Sequence, residues 1–330
     1  MFLSRHIARC AAPHVVRSRQ LFSTSAGRKS TATVASGLTA ILGAAAGLSY
    51  LGSEESSVAL ADEEQRLTSL SKKEFKDFPV LSNKMLSKDT NLITFKLPSE
   101  DHTLGLTVAS CLSMSAEIDG QNVSRPYTPI SRRNQKGVAE FVIKSYPPRT
   151  DGKPGGMGNH LRSLKPGDTV KMKGPWKKFS YTANEFEEVG MIAGGTGITP
   201  MFQILQEILY NEDDNTKVKL LYANKSIDDI LIKERLDQLE MDFPGRFKVT
   251  YTVDKAPWWW QMKGETGFVT KGMVGRCIFK PDGKKKRKIF VCGPQPMMNA
   301  VSGKKAGRKQ GKLGGCLKQA GFTEDDVYKF

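Results

Sequence analysis

The sequence has few cysteines, and no two of them lie at the close spacing that zinc sites use. Its five cysteines are odd in number and far apart along the 330 residues. This pattern argues against a disulfide framework and against a metal cluster, and it favours a reducing compartment. With apolar residues at 39% and charged residues at 25%, the chain is neither wholly disordered nor wholly embedded in a membrane.

Acidic residues are absent before Glu54. Six basic side chains lie in that stretch: Arg5, Arg9, Arg17, Arg19, Arg28 and Lys29. They supply six units of the formal net charge of +16, and the other ten lie beyond them. Targeting and an acidic partner therefore compete with nucleic-acid binding as the reason for the excess charge.

The composition of the first 73 residues suggests a targeting segment, a membrane anchor and a stalk. Residues 1–29 combine Arg, Ser and Ala without acid, which is typical of a mitochondrial targeting segment. Residues 30–53 carry no charge and are long enough for a single N-terminal transmembrane helix, with a low-complexity linker as the alternative. Residues 54–73 are polar and of mixed charge, which predicts a stalk.

Residues 74–184 show the period-two alternation of half-buried strands. Ile93 and Phe95 alternate with polar residues, as a sheet with one buried face requires. The segment 138–146 has the same pattern, and turn residues separate it from further short strands. Short strands without a long helix predict a small antiparallel β-barrel domain.

Residues 185–330 have a different pattern, in which apolar runs alternate with helical spacing. The run 189–193 enters a glycine turn at 194–197, and a helix follows. Asp228–Asp229 can cap a second helix that carries Ile232. Strands that alternate with helices predict a parallel sheet, whose ligands lie beyond the carboxyl ends of the strands. The fold class is therefore α/β with two domains.

One motif lies between two strands of the first domain: Arg125-Pro126-Tyr127-Thr128-Pro129-Ile130-Ser131. An extended chain projects Arg125 and Tyr127 to the same side, where a guanidinium and an aromatic ring can hold a phosphate and a planar group. A plain surface strand with a satisfied arginine is the alternative for this heptapeptide taken alone.

Two glycine loops add anion-binding chemistry. Gly195-Thr196-Gly197-Ile198-Thr199-Pro200 follows a buried strand and opens a helix, so its free N–H groups face a pyrophosphate. Pro200 stands where the dinucleotide fingerprint has its third glycine. A second loop, Gly155-Gly156-Met157-Gly158, precedes a helix near His160 in the first domain. Two such loops in two domains predict two nucleotides.

With a third motif, Cys292-Gly293-Pro294-Gln295-Pro296-Met297-Met298, the chain from about residue 70 onward resembles the ferredoxin reductase superfamily. Within it, the basic start, the anchor and the terminal Val327-Tyr328-Lys329-Phe330 are similar to those of the mitochondrial NADH-cytochrome b5 reductases of fungi. The resemblance implies an FAD-binding barrel, an NAD-binding domain, and hydride transfer from NADH to FAD followed by single-electron steps to cytochrome b5 or a similar acidic haem protein.

The resemblance also implies residue roles on the FAD side. Arg125 would bind FAD phosphate, Tyr127 would pack on the flavin, and Thr128 would hydrogen-bond near flavin N5. The remaining FAD positions implied by the family are Pro126, Val142, Lys144, Tyr146, Gly155, Gly156, Met157, Gly158, Asn159 and Thr199. The family usually has a serine in the diphosphate loop, which is absent here, so backbone N–H groups and Asn159 would take its place.

On the NADH side, the implied turn is Gly195-Thr196-Gly197, with Gly293, Pro294 and Met297 across from it. Cys292 matches a thiol near nicotinamide C4, and its plain alternative is a small buried hydrophobe. Asp254 matches the acid that repels a 2′-phosphate, which predicts a preference for NADH over NADPH. Thr128 and Cys292 are the two candidate catalytic residues.

Several alternatives stay open at this level. An NADPH-preferring reductase with another acceptor is one, and a basic lipid- or nucleic-acid-binding module is another, although the lysines between 284 and 312 are not interleaved with aromatics. The tract Lys284–Lys288 is a solvated loop or a docking site for an acidic partner. The segment Trp258–Trp260 covers apolar surface or meets a partner.

We expect a monomer without metal or nucleic acid, anchored in the mitochondrial outer membrane, with a processed form in the intermembrane space as a further expectation.

Overall fold

The computed structural model describes residues 67–146 and 156–330. The predicted targeting segment 1–29, the predicted anchor 30–53 and most of the predicted stalk lie outside the described residues, as does Gly155 of the first glycine loop. Within the described ranges, no helix has the length and apolar character needed to cross a membrane.

The first domain is a six-stranded antiparallel sheet with one short helix. Its elements are β1 (Lys76–Ser87), β2 (Thr90–Lys96), β3 (Ser110–Ile118), β4 (Gln121–Tyr127), β5 (Val138–Lys144), α1 (Met157–Ser163) and β6 (Thr169–Lys177). The predicted alternation is present, since Ile93 and Phe95 on β2 are fully buried and lie in one core with residues of the other strands. All the ladders in this sheet are antiparallel.

The sheet order is β4-β3-β6-β1-β2-β5, so β4 and β5 are its two edges. Within the described residues no hydrogen-bond ladder joins these two edges, so the structure shows an antiparallel sheet and the closed barrel stays a prediction. Helix α1 contacts both edge strands and occupies the seam between them. This seam is important because Arg125, Lys144 and Asn159, three of the residues predicted to hold FAD, lie on β4, β5 and α1.

The end of the predicted stalk packs on this domain. Ser69 N–H donates to Thr103 O at 2.9 Å, and Leu70 is buried in the core of the antiparallel sheet. Gly174 N–H donates to Ser71 O at 3.0 Å. Residues 69–71 are therefore part of the first domain, which begins before residue 74.

The second domain is the predicted parallel sheet with helices. Its elements are β7 (Glu188–Gly194), α2 (Ile198–Tyr210), β8 (Lys217–Asn224), α3 (Lys233–Asp242), β9 (Phe247–Val253), β10 (Glu265–Thr266), α4 (Lys271–Cys277), β11 (Arg287–Cys292), α5 (Gln295–Ser302), α6 (Gly315–Gln319) and β12 (Val327–Lys329). The order is β10-β9-β8-β7-β11-β12, and every ladder is parallel. Strand β7 is buried along its whole length, which explains why its sequence is a continuous apolar run.

Helix α3 begins later than the sequence predicts. Asp228 and Asp229 lie in a short 3₁₀ turn, and Ile232 has a left-handed backbone with φ of 51° just before the helix. The reason is local burial, because three consecutive apolar residues, Ile230 to Ile232, are all buried. A regular helix would point at least one of them to solvent.

The two domains share a packed interface along α2. Ser110 N–H donates to the Gln203 side-chain oxygen at 2.7 Å, and the Gln206 amide donates to Ile130 O at 3.0 Å. Val142 of β5 lies in the same buried cluster as Ile198 at the start of α2. The first turn of α2 therefore lies against the outer face of β5.

Candidate active site at the meeting of the two domains

Strand β4 presents the arginine and the tyrosine of the first motif on one face. β4 runs without a bulge from Gln121 to Tyr127, so Val123, Arg125 and Tyr127 point to the same side. Val123 lies in the core, Tyr127 at the end of the strand is half-buried against that core, and Arg125 between them is exposed. The sequence predicted this shared face.

The side chains of this row influence one another. Burial raises the pKa of Tyr127 to about 12, and the nearby Arg125 guanidinium offsets part of that rise. Arg125 donates to Ser124 O at 2.9 Å, and within the described residues no carboxylate pairs with it. A guanidinium without a carboxylate beside a protonated phenol suits a phosphate next to an aromatic group. Thr128 follows at once and is half-buried.

The opposite edge strand, β5, uses its two faces differently. Phe141 and Ile143 are fully buried in the antiparallel core, whereas Val142 faces the second domain. On the face of Val142, the Lys144 ammonium pairs with Asp89 at 2.8 Å. Burial alone would raise the pKa of Asp89, but this hydrogen bond and those of neighbouring hydroxyls hold it below its usual value. Lys144 thus has a structural partner, and its nucleotide contact stays a prediction.

Helix α1 fixes the end of β5. A Cβ on Gly158 would lie 2.3 Å from Lys144 O, so only glycine permits this approach. The Asn159 side-chain amide donates to Tyr146 O at 2.8 Å. Asn159 therefore holds the strand end, and the diphosphate role that the sequence predicted for it would fall on its remaining polar atoms and on backbone N–H groups. Met157 is buried, and Gly156 O accepts from Asn159 N–H at 2.9 Å.

In the second domain, the two glycine motifs touch. A Cβ on Gly197 would lie 2.2 Å from Cys292 O, and a Cβ on Gly293 would lie 2.9 Å from Met297 Sδ. A Cβ on Gly194 would meet the same sulfur at 2.4 Å. The turn after β7 and the turn after β11 are thus packed backbone to backbone, with Met297 of α5 beside them.

The turn that follows β7 leaves one side open. Gly195 has φ of +52°, and a Cβ there would meet no heavy atom within 4 Å. Its carbonyl accepts from the Tyr222 hydroxyl at 3.0 Å, and Thr199 Oγ1 donates to Thr196 O at 3.1 Å. These two hydrogen bonds hold the turn on one side, and the other side, at Gly195, faces open space. Pro294 is the residue just before α5 and accepts from Met298 N–H at 3.0 Å.

Cys292 ends β11 at the point where the domains meet. It packs against the interdomain cluster that contains Val142 and Ile198. Burial raises the pKa of its thiol to about 12, and Lys305 offsets a small part of this rise. The thiol is therefore protonated at neutral pH, which fits a packing and positioning group and does not fit a thiolate nucleophile.

Asp254 and Asn224 lie at the same edge of the parallel sheet. Asp254 follows β9 and is exposed, and its N–H donates to Asn224 O at 3.1 Å. Asp254 and the glycine turn follow β9 and β7, which are two places apart in the sheet, and strands so placed are separated by about 10 Å. The carboxylate is thus placed one nucleoside length from the predicted pyrophosphate turn.

Asn224 is a residue that the sequence reading missed. It ends β8, between the glycine turn and Asp254, and both polar atoms of its buried side-chain amide have no hydrogen-bond partner within the described residues. A buried amide without a partner costs free energy unless a ligand satisfies it. Its position after a buried strand was visible in the sequence, but no glycine or charge marked it.

Each of the two half-sites has open space or polar groups for one nucleotide. On the parallel sheet, the open space above Gly195 and the unpartnered amide of Asn224 form a cradle that an NADH molecule would fill. On the antiparallel sheet, the exposed Arg125 and the half-buried Tyr127 lie on the edge strand next to the seam. The residues present therefore fit both groups.

The segment Trp258–Trp260 and the basic tract Lys284–Lys288 each contain residues with structural partners. Trp260 is buried and donates from Nε1 to Glu265 O at 2.9 Å, whereas Trp258 and Trp259 are exposed. In the tract Lys284–Lys288, Lys285 and Arg287 both pair with Glu188, at 2.7 and 2.8 Å. Part of this basic tract is therefore a structural ion-pair cluster.

The fold and the site define a class of protein, a two-domain flavin- and pyridine-nucleotide-binding oxidoreductase. Family models agree: an oxidoreductase FAD-binding domain matches residues 77–181, and an oxidoreductase NAD-binding domain matches residues 191–303. NADH-cytochrome b5 reductase 2-A of Vanderwaltozyma polyspora is 45% identical, over 77% of this chain and 83% of its own. NADH-cytochrome b5 reductase 2 of Saccharomyces cerevisiae is 42% identical, over 77% and 82%. The chain belongs to the NADH-cytochrome b5 reductase family.

A solved structure supports the same family. The cytochrome b5 reductase domain of Ulva prolifera nitrate reductase is 30% identical with a TM-score of 0.68, and the match covers 80% of this chain and all of that one. The resemblance inferred from the three motifs is thereby confirmed, together with FAD and NAD as the bound nucleotides.

Proposed function

We propose that this protein takes reducing equivalents from NADH through FAD to cytochrome b5 or a similar acidic haem protein. The observation that carries the proposal is the convergence of the two nucleotide half-sites. Val142 of the antiparallel domain shares one buried cluster with Ile198, and Cys292 packs against that cluster. A hydride donor held at one half-site would lie next to an acceptor held at the other, which is the positioning that such a transfer requires.

The chain supplies binding, orientation and exclusion of water. FAD, when bound, supplies the chemistry that the side chains lack, because it accepts two electrons as hydride and returns them singly. Arg125 would hold its phosphate and Tyr127 would cover its ring, with Thr128 at the adjoining backbone. Cys292 would hold the reacting face of the nicotinamide as an uncharged, packed thiol, since its pKa lies well above neutral pH.

The proposed location follows from the sequence. The composition of residues 1–29 and 30–53 supports a mitochondrial protein anchored in the outer membrane by one N-terminal helix, with the two domains acting as a monomer. Protease protection of intact mitochondria tests this. Digestion of the domains without rupture of the outer membrane would place them on the cytosolic face, and protection until rupture would place them in the intermembrane space.

The function itself is tested with the purified full chain. We expect a yellow protein whose flavin absorbance bleaches in stopped flow when NADH is added without oxygen, and recovers when an oxidised cytochrome b5 haem domain follows. The half-reaction with NADH needs no acceptor, so the two steps are separated. A colourless protein that takes up no FAD would overturn the proposal.

The Asp254→Ser variant tests the nucleotide preference. One pair of unit charges 4 Å apart interacts by about 1 kcal/mol in water, so an exposed carboxylate beside a phosphate dianion costs about 2 kcal/mol. We expect the ratio of kcat/KM for NADH over NADPH to fall roughly 30-fold. Asp242→Ser, at the end of α3 and exposed, should leave the ratio unchanged. An unchanged ratio in Asp254→Ser would remove the assignment.

A further inference from the structure

A basic loop joins α5 to α6. We name residues 303–314 the basic loop; its sequence is Gly-Lys-Lys-Ala-Gly-Arg-Lys-Gln-Gly-Lys-Leu-Gly, with five basic side chains and no carboxylate. Lys304, Arg308, Lys309 and Lys312 are exposed. From its composition alone, the basic loop would be interpreted as a solvated low-complexity segment. Its position in the fold and its hydrogen bonds to the rest of the domain therefore decide whether it has a function.

The basic loop is held in place by the last strand. Lys329 is a buried lysine whose ammonium donates to Lys312 O at 2.9 Å and to Lys304 O at 3.4 Å. The Gln310 side chain accepts from Lys329 N–H at 2.6 Å and donates to Lys329 O at 3.2 Å. Lys305 Nζ donates to the same carbonyl at 3.0 Å. Both ends of the loop are therefore fixed to β12.

The tip of the basic loop is a tight turn. Ala306 and Lys309 exchange two backbone hydrogen bonds, at 3.2 and 3.0 Å. Gly307 takes a positive φ of 61° at the turn, which glycine accepts without strain. The turn presents Arg308 and Lys309 to solvent. Two cations are thus displayed on a short, hydrogen-bonded hairpin.

The attachment places the basic loop at the active edge of the parallel sheet. Lys329 pairs with Val291, the residue before Cys292, and Phe330 N–H donates to Val291 O at 2.9 Å. Burial lowers the pKa of Lys305, and the Lys178 ammonium lowers it further, while Cys292 acts in the opposite direction. Lys305 is therefore within electrostatic reach of both Lys178 and Cys292.

The antiparallel domain contributes cations to the same edge. Lys177 and Lys178 are exposed at the end of β6, and Lys178 O accepts from the Tyr328 hydroxyl of β12. We name the six side chains the edge patch: Lys177, Lys178, Lys304, Lys305, Arg308 and Lys309. In the described ranges none of them forms a salt bridge with a carboxylate, in contrast to Arg133, Arg235 and Arg276, which do.

The other basic tract lies at the opposite edge. Arg287 begins β11 and Cys292 ends it, so about 16 Å of strand separates Lys284–Lys288 from the active edge. Glu188 at the start of β7 pairs with Lys285 and Arg287, and Asp282 also pairs with Arg287. The sequence predicted Lys284–Lys288 as a docking site, and the geometry favours instead the basic loop, which the sequence analysis did not name as one.

We propose that the edge patch is the docking surface of the electron acceptor, and that the acceptor is a protein with a carboxylate-rich face around its redox group. The inference rests on the proposed function. Cations that are not paired with a carboxylate attract a negatively charged protein surface from a distance. They also fix the orientation of that surface when the two proteins meet. Because the patch flanks Cys292 from both domains, a protein seated on it lies against the edge where the reducing equivalents arrive.

The test reverses two charges at the hairpin tip of the full-length holoenzyme. Arg308→Glu/Lys309→Glu changes exposed side chains only. A matched control, Lys284→Glu/Lys318→Glu, makes the same change in net charge with two exposed lysines outside the edge patch. The probe is the soluble haem domain of an acidic cytochrome b5. The dissociation constant of the complex between this haem domain and each reductase variant is measured without NADH. The kcat/KM for reduction of the haem domain is measured across a series of salt concentrations.

For the tip variant we expect at least a 10-fold loss of kcat/KM at low ionic strength, a matching rise in the dissociation constant, and convergence with the wild type at high salt, since screening removes the difference. The control should stay within twofold of the wild type. Anaerobic flavin reduction by NADH should be unchanged in both variants.

Other outcomes overturn the inference. Equal effects in the tip variant and the control would mean that only net charge acts. A slower NADH half-reaction in the tip variant would show that the patch binds the dinucleotide phosphates. Loss of binding to anionic phospholipid vesicles with unchanged acceptor kinetics would assign it to a membrane surface. If the wild type itself is not reduced by NADH, the proposed function fails instead, and the half-reaction separates the two cases.

Discussion

Arg125→Ala is expected to leave the protein folded and to remove most of its flavin. The guanidinium is exposed and makes no ion pair within the described residues, so its removal leaves no buried charge behind. A hydrogen bond to a charged group contributes about 1.5–3 kcal/mol. That corresponds to FAD binding that is roughly 10- to 150-fold weaker, measured as the flavin-to-protein absorbance ratio after gel filtration and by titration of the apoprotein.

Arg133→Ala is the matched control for that experiment. Arg133 is an exposed arginine of the same domain that pairs with Glu207 at 3.2 Å, and exposed pairs of this kind contribute about 0–1 kcal/mol. It should keep its flavin. Full flavin content in Arg125→Ala would show that β4 is a plain surface strand and that the phosphate is held elsewhere.

Gly197→Ala is expected to destabilise the parallel domain strongly. The backbone of Gly197 is helical, with φ of −62°, so alanine is allowed by its torsion angles. The obstacle is contact, since the new methyl would lie 2.2 Å from Cys292 O and 2.9 Å from Gly293 N. Overpacking of this kind costs about 1–3 kcal/mol, or more where backbone must move. Here both neighbours are backbone, and we expect about 3 kcal/mol, measured from the urea midpoint at constant m-value.

Gly275→Ala provides the comparison. Gly275 lies inside α4, and a Cβ there would meet no heavy atom within 4 Å. Alanine in a helix interior is favoured over glycine by about 0.5–1 kcal/mol, so this variant should be as stable as the wild type or slightly more stable. Equal midpoints for the two variants would mean that the turns after β7 and β11 separate easily. The NADH site would then not depend on their contact.

Much of the fold could be predicted because its determinants are local. The alternation around Ile93 and Phe95 and the apolar run before Gly194 each specify the burial of one strand. Local rules fail where burial overrides them, as at Ile230 to Ile232, which delays α3. They also do not predict that no ladder joins β4 to β5 in the described part of the chain, because edge pairing depends on the whole sheet.

The candidate site divides in the same way. Arg125, Tyr127, Gly197 and Cys292 stand in short motifs whose chemistry is visible along the chain. Asn224 has no such signal, because its lack of a partner arises only when β8 takes its place between β7 and β9.

The sequence by itself determined the two nucleotide-binding motifs, the change from antiparallel to parallel architecture, and the large excess of positive charge. Only the tertiary structure decided which positive charges lie at the active edge. The tract Lys284–Lys288 lies at the start of β11, where Glu188 and Asp282 pair with Lys285 and Arg287, whereas the buried Lys329 holds residues 303–314 near Cys292. The physical reason is that electrostatic attraction acts through space, and the pairing of β11 with β12 sets those distances.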